Sequence, residues 1–321
     1  VFSLREVNST LNPILKTYLM NAKILSGLLF ALSVLFIGCA EDAADRGLDG
    51  TGRLTVRLTD APFPYDLVAE ANVTVFKIDA RKVSGEGKED DANGDDDEGG
   101  NPFIILMEEE IAVNLLTLVN GVTQELADLE VPAGNYDLVR IYVKGVNLVL
   151  KDGQTFDFKV PSGAQTGIKV FIEPSLNVVG GLSSDLLLDF DLSKSFVARG
   201  NIDGPGFNGF LFKPVIRASN TSTAGTLSGF TGNLVEEMET ALEGTQVSVI
   251  AADTVYASAF SDADGKYAIM GIQAGTYRAV AEKEGFFSSD TVTVEIVPGN
   301  KTVRDFLLEA DPGTSETTGG N

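Results

Sequence analysis

From Arg53 onward, apolar residues recur at every second position in short runs, and that period constrains the fold more than any other feature. Leu54, Val56 and Leu58 alternate with Arg53, Thr55 and Arg57, which puts one set on each face of a half-buried strand. Thr59-Asp60-Ala61-Pro62-Phe63-Pro64 ends this run, because two prolines cannot continue a ladder. A second strand is expected near Asn72 to Val83. Val73 and Val75 share one face, and Phe76, Ile78 and Ala80 take the other, a change of phase that predicts a bulge. Further strand-like runs are Phe103 to Met107, Ile111 to Leu118, Tyr136 to Lys144, Gly145 to Leu150, Thr155 to Val160, Gly167 to Ile172, Leu186 to Asp191 and Phe210 to Arg217. Lys151-Asp152-Gly153-Gln154 carries the Asp-Gly chemistry of a type I′ hairpin turn. No amphipathic helix longer than a few turns follows Cys39. Many short strands with regular turns predict an all-β chain of sandwiches, and the length after Cys39 suits two of them.

Residues 84–102 interrupt the pattern. Glu86, Glu89, Asp90, Asp91, Asp95, Asp96, Asp97 and Glu98 face only Lys88, and nothing apolar there is larger than Ala92. Such a segment cannot be core and is expected to be a solvated hairpin loop. Asp91, Asn93 and Asp95 stand at alternate positions, as the first three calcium ligands of an EF-hand loop do. The match fails where Asp96 replaces the required glycine and Pro102 stands in the place of the bidentate glutamate. These three residues are therefore a weak calcium candidate beside the simpler reading of a self-repelling loop.

Composition removes several chemistries. The chain has no histidine, no tryptophan and one cysteine, Cys39. A histidine triad, a histidine general base and a histidine-ligated zinc are excluded. Catalysis would fall to carboxylates, Lys, Tyr, Ser or Thr. Asp189 and Asp191 flank Phe190 on one strand and share a face, about 7 Å apart. They are the first residues to consider for a carboxylate-only hydrolase or for metal ligation; the plainer reading is the wet face of a sheet. Asp262-Ala263-Asp264-Gly265 invites a calcium reading too, but a tight turn explains it. Asp60 is expected to cap a turn. The net charge of −22 repels nucleic acid and anionic head groups.

The apolar run Ile24 to Ile37 is too short to span a bilayer, which takes roughly 17 to 25 residues, and has the length of a signal h-region. Lys23 precedes it and Phe36-Ile37-Gly38-Cys39 ends it. The pattern resembles the signal peptide and lipobox of a bacterial lipoprotein, with Met20 as its start and residues 1–19 as an over-extended start. The resemblance implies a signal peptide at 20–38 and lipidation (palmitate and related acyl groups) at Cys39; the small, polar, glycine-bearing residues that follow read as a flexible tether at 39–51. It implies partnership with a membrane through that lipid. Ala40 after the cysteine favours the outer membrane, and Glu41 and Asp42 favour the cell surface. Removing residues 1–38 takes away Arg5, Lys16, Lys23 and Glu6, leaving 21 basic against 45 acidic residues, a charge of −24.

Two further resemblances cover most of the remainder. Leu58-Thr59-Asp60-Ala61-Pro62, Val113-Asn114-Leu115-Leu116, Pro132-Ala133-Gly134-Asn135-Tyr136, Pro161-Ser162-Gly163, Thr166-Gly167-Ile168-Lys169, Leu188-Asp189-Phe190-Asp191 with Lys194-Ser195, and Lys213-Pro214-Val215-Ile216 together resemble domain-of-unknown-function family 4382 over 52–218. This family is typical of bacterial lipoproteins and implies location and fold rather than chemistry. After a linker at 219–224, Gly225-Thr226-Leu227-Ser228-Gly229, Val247-Ser248-Val249, Ser261 to Tyr267, Gln273-Ala274-Gly275-Thr276-Tyr277 and Glu284-Gly285-Phe286 resemble a carboxypeptidase regulatory-like, prealbumin-like sandwich over 225–309. Residues 310–321 read as a disordered tail. Ala-Gly-x-Tyr occurs in both domains, at 133–136 and 274–277; glycine would allow a tight turn and the tyrosine hydroxyl would tie down nearby backbone.

The expectation is a non-catalytic, lipid-anchored envelope protein that contacts a protein or glycan. The alternatives are a calcium-dependent carbohydrate binder acting through 84–102 and, third, a hydrolase built on Asp189 and Asp191.

Overall fold

The computed structural model describes residues 50–61, 67–83, 102–160, 164–201, 206–235 and 238–314. Cys39, the signal segment, and Asp91, Asn93 and Asp95 of the acidic insert lie outside the described residues.

The architecture is all-β, in two strand groups. The first contains β1 (Thr51–Ala61), β2 (Val68–Lys82), β3 (Phe103–Met107), β4 (Ile111–Asn114), β5 (Gln124–Pro132), β6 (Gly134–Leu150), β7 (Thr155–Phe158), β8 (Ile168–Val178), β9 (Ser183–Asp191), β10 (Phe196–Ala198), β11 (Phe210–Phe212) and β12 (Ile216–Asn220). Its main path runs β3-β2-β6-β8-β12-β9-β1-β5, with β4 on β2 and β7 on β6. β8 and β12 share only the pair Ala218 and Ile172, so the path is nearly broken there. The two halves enclose one core. Leu54, Val56 and Leu58 of β1 and Leu186, Leu188 and Phe190 of β9 pack with Val73, Ile78, Val139, Ile141 and Val170. Each such side chain contributes roughly 1.5–3 kcal/mol through removal from water. β10 and β11 form a separate ribbon over a phenylalanine cluster, in which the Phe196 and Phe212 rings lie 4.8 Å apart.

The bulge predicted in β2 is present: the register shifts around Val75 and Lys77, which lets Val75 and Ile78 both face inward. The expected runs Tyr136 to Lys144 and Gly145 to Leu150 are one continuous strand, β6. β5 carried no expectation; its acidic residues at 125, 128 and 130 hid a short alternation. The type I′ expectation at Asp152-Gly153 is corrected. Gly153 alone has a positive φ, +88°, and the Asp152 carboxylate accepts from the Gln154 amide at 2.9 Å, so one left-handed residue closes a wider turn. A type I′ turn occurs instead between β15 and β16, at Ala252 (φ 45°) and Asp253 (φ 62°).

The second group contains β13 (Ala224–Val235), β14 (Met238–Ala241), β15 (Gln246–Ala251), β16 (Thr254–Phe260), β17 (Lys266–Gln273), β18 (Gly275–Glu282), β19 (Val292–Ile296), β20 (Lys301–Val303) and β21 (Phe306–Leu307). One sheet is β14-β13-β17, with β20 and β21 parallel to β13; the other is β16-β15-β18-β19. Between them lie Leu227, Val247, Val249, Tyr267, Ile269, Ala279, Ala281, Val294 and Phe306. Small residues on β16 and β18 lie beside larger ones on β15 and β19 in this layer.

Candidate functional site

The two aspartates singled out from the sequence are buried, not on a wet face: Asp189 is 7% exposed and Asp191 2%. Strand β9 is central, paired on both edges with β1 and β12, and the face that carries the two aspartates is closed by residues of the second strand group, Ser258 and Met270 beside Asp189 among them. The alternation placed the two carboxylates correctly on one face, but it could not say what covers that face.

Their partners differ. Asp191 sits where β9 becomes a single helical turn, Leu192–Ser195. Its carboxylate accepts from the Lys194 amide at 3.0 Å and the Ser193 hydroxyl at 2.6 Å, and pairs with the Lys194 ammonium at 2.9 Å. This is helix capping. Asp60 serves the same turn from β1, accepting the Leu192 amide at 3.2 Å. It caps at long range, not the local turn that was expected, because β1 continues through Ala61. Asp262 does behave as a turn residue, accepting the Asp264 and Lys266 amides at 3.0 and 2.8 Å.

Asp189 pairs with Arg217 of the adjacent strand β12. Burial pushes the Asp189 carboxyl above the usual carboxylate value, and Arg217 only partly opposes this. Burial alone would lower the Arg217 guanidinium; the carboxylate beside it more than reverses that and holds it above its ordinary value. Arg217 also reaches into the second strand group. Its Nη1 donates to the Tyr256 carbonyl at 2.9 Å, and its guanidinium lies 4.9 Å from the Tyr256 ring centroid. Tyr256 is stacked on Tyr277 at 5.6 Å. The Nε of Arg217 is buried with no hydrogen-bond partner among the described residues.

Arg217 is the centre of a seam between the two groups, which belong to one compact unit, Leu48–Asn321. Lys194 Nζ donates to the Val255 carbonyl at 3.4 Å, so two cations cover the outer edge of β16. Ser219 donates to the Gly271 carbonyl at 2.8 Å, Gln273 donates to the Glu173 carbonyl, and Asn120 accepts the Ala268 amide at 3.4 Å. Two edge strands of the second group thus have their backbone groups met by side chains rather than left open for pairing. Beside Asp189 the seam leaves a crevice of about 20 Å³, lined by Asp60, Gly121, Ser258 and Met270 among others. That holds about one water molecule.

Sequence reasoning missed Arg217, Tyr256 and Gln273. The available signal was a single arginine in the apolar run Val215-Ile216-Arg217-Ala218, a pattern that asks for a buried counter-charge. It also missed Asp79, 1% exposed on the outer side of β2, which receives both arms of Arg140 at 2.7 and 2.9 Å and the Tyr142 hydroxyl at 3.1 Å. Among the described residues no three metal-ligating side chains converge, and no helix is long and apolar enough to cross a membrane.

A family model described as a domain of unknown function (DUF4382) matches residues 51–214, and a carboxypeptidase regulatory-like domain matches 229–309. No curated protein matches. Among solved structures, a minor pilin of Streptococcus agalactiae overlaps with 10% identity, covering 84% of this chain and 100% of that one at a TM-score of 0.25. The shaft pilin SpaA of Lactobacillus rhamnosus GG overlaps with 11% identity, 81% and 98% coverage and a TM-score of 0.25. The major pilin subunit BcpA of Bacillus cereus gives 9%, 82% and 71%, and 0.23. At such scores these overlaps carry no argument about role. The first strand group, by contrast, is matched along nearly its whole length, which is half of the chain, and so the protein belongs to the DUF4382 family, with a carboxypeptidase regulatory-like domain following it.

Proposed function

We propose that this is a non-catalytic, lipid-anchored protein of the bacterial cell envelope, held in the outer membrane and facing the cell surface, where its sandwiches contact a protein or glycan. The observation that carries the reading is the engagement of Asp189 and Asp191. The residues a carboxylate-only hydrolase would use are spent on Arg217 and on a helical turn, with room for about one water beside Asp189 and none for a substrate. What they build instead is a join between two rigid frames, which suits holding rather than turnover. The anchoring rests on Phe36-Ile37-Gly38-Cys39 after a short apolar run. Several acyl chains there would hold the protein stably, where one alone binds marginally.

Mass spectrometry of protein extracted from membranes tests this. The expected N-terminal peptide begins at Cys39 and carries a diacylglyceryl thioether and an amide-linked acyl chain. An unmodified thiol with the preceding residues still attached overturns the anchoring, and the surface role with it.

A further inference from the structure

The near-break between β8 and β12 leaves a groove of about 340 Å³ beside the seam. Its floor is the outer face of those strands, and Tyr256 and Gln273 of the second group form its wall. The volume lies in the roughly 300–1,000 Å³ range of small-molecule sites, which favour interfaces between domains. From this geometry we infer that the groove between β8 and β12 binds a short neutral saccharide; the inference rests on the surface-binding role proposed above and names its ligand class.

Phe171 is the centre of the argument. It is 55% exposed in the middle of β8, an aromatic side chain that lines the groove. Lys169 and Glu173 point the same way at alternate positions, each about 7 Å from it. A sugar ring has an apolar C–H face and a rim of hydroxyls. Phe171 matches the face; the Lys169 ammonium, the Glu173 carboxylate and the Gln273 amide oxygen match the rim as donor and acceptors. The Gln273 amide is held in place, because its nitrogen donates to the Glu173 carbonyl. Tyr256 cannot swing into the groove, being fixed between Tyr277 and Arg217. The wall is therefore preorganised, which lowers the cost of binding.

Charge selects among ligands. Lys169 and Arg217 are set against Glu173, and Arg217 is already committed to Asp189, so the groove itself is near neutral. The chain around it carries −22, which disfavours polyanionic glycans. An extended peptide is the other occupant of such a groove, and it is weighed in the test.

The full mature chain in mild detergent is applied to an array of neutral and acidic oligosaccharides and to a peptide library. Calorimetry then follows with the neutral oligosaccharide giving the strongest signal. Phe171→Ala is expected to weaken that binding about tenfold, as loss of one aromatic contact would. It should leave the melting midpoint unchanged, since the ring is mostly exposed. Leu211→Ala, an exposed residue on the separate β11 ribbon, should leave binding unchanged. A blank neutral array, a signal from peptides alone, or neutral-glycan binding that survives Phe171→Ala each overturns the inference. Acylated Cys39 with a blank array would keep the envelope role and remove the groove. Phe171-dependent binding with an unmodified Cys39 would do the reverse.

Discussion

Arg217 makes three contacts with two residues: it pairs with Asp189, covers the Tyr256 carbonyl and flanks the Tyr256 ring. Such a buried pair is seldom a net source of stability, because each ion loses its hydration. Here the cost falls on Asp189, whose carboxyl burial pushes upward. The folded protein therefore keeps that proton to a higher pH than the unfolded chain does. Below the ordinary carboxylate value of about 4 both states hold it, and the group's favourable contribution is complete. As pH rises from there towards the raised folded value, the unfolded state releases the proton while the folded state still holds it, and stability falls until the folded state releases it too. Asp189→Asn cannot ionise and lacks this slope. Thermal midpoints across the acid range should show the variant gaining on the wild type as pH rises from about 4; a gap that moves the other way contradicts the assignment. The sequence placed Asp189 and Asp191 on one face, but the arginine that decides what Asp189 does comes from another strand and the tyrosine from another domain. No period-two reading can supply such partners.

At the scale of elements, one device closes a turn in both domains. Gly134 (φ +146°) and Gly275 (φ +155°) open β6 and β18, and two residues later a tyrosine hydroxyl donates to the carbonyl four residues before it. Tyr136 reaches the Pro132 oxygen at 2.8 Å, and Tyr277 reaches the Gln273 oxygen at 3.0 Å. The Ala-Gly-x-Tyr echo expressed this chemistry in full, because every partner lies within four residues. Gly275→Ala meets no backbone closer than ordinary contact, so its cost is backbone strain alone, about 1–3 kcal/mol. Urea unfolding should show that loss, and a neutral result contradicts the role given to the glycine. Local signals of this kind were legible elsewhere too: the β2 bulge from the phase change at Phe76, and the Asp262 turn from Asp-x-Asp-Gly. Long-range ones were not. β5 pairs with β1 across 66 to 81 residues of sequence, and its acidic outer face masks the inner Leu126 and Val131.

At the scale of the molecule, two sandwiches with separate cores are joined by polar contacts around Arg217, with edge strands β16 and β17 covered in the process. With this seam the pair is expected to move as one body, a fixed spacer that also shapes the groove at Phe171. The most direct measurement places spin labels on a form beginning at Ala40, at Gln165→Cys in the first sandwich and Glu284→Cys in the second, and reads the distance between them by pulsed resonance. A rigid seam gives a single narrow distance distribution that broadens when Arg217→Met removes its centre. A broad distribution in the wild type, unchanged by Arg217→Met, would contradict it.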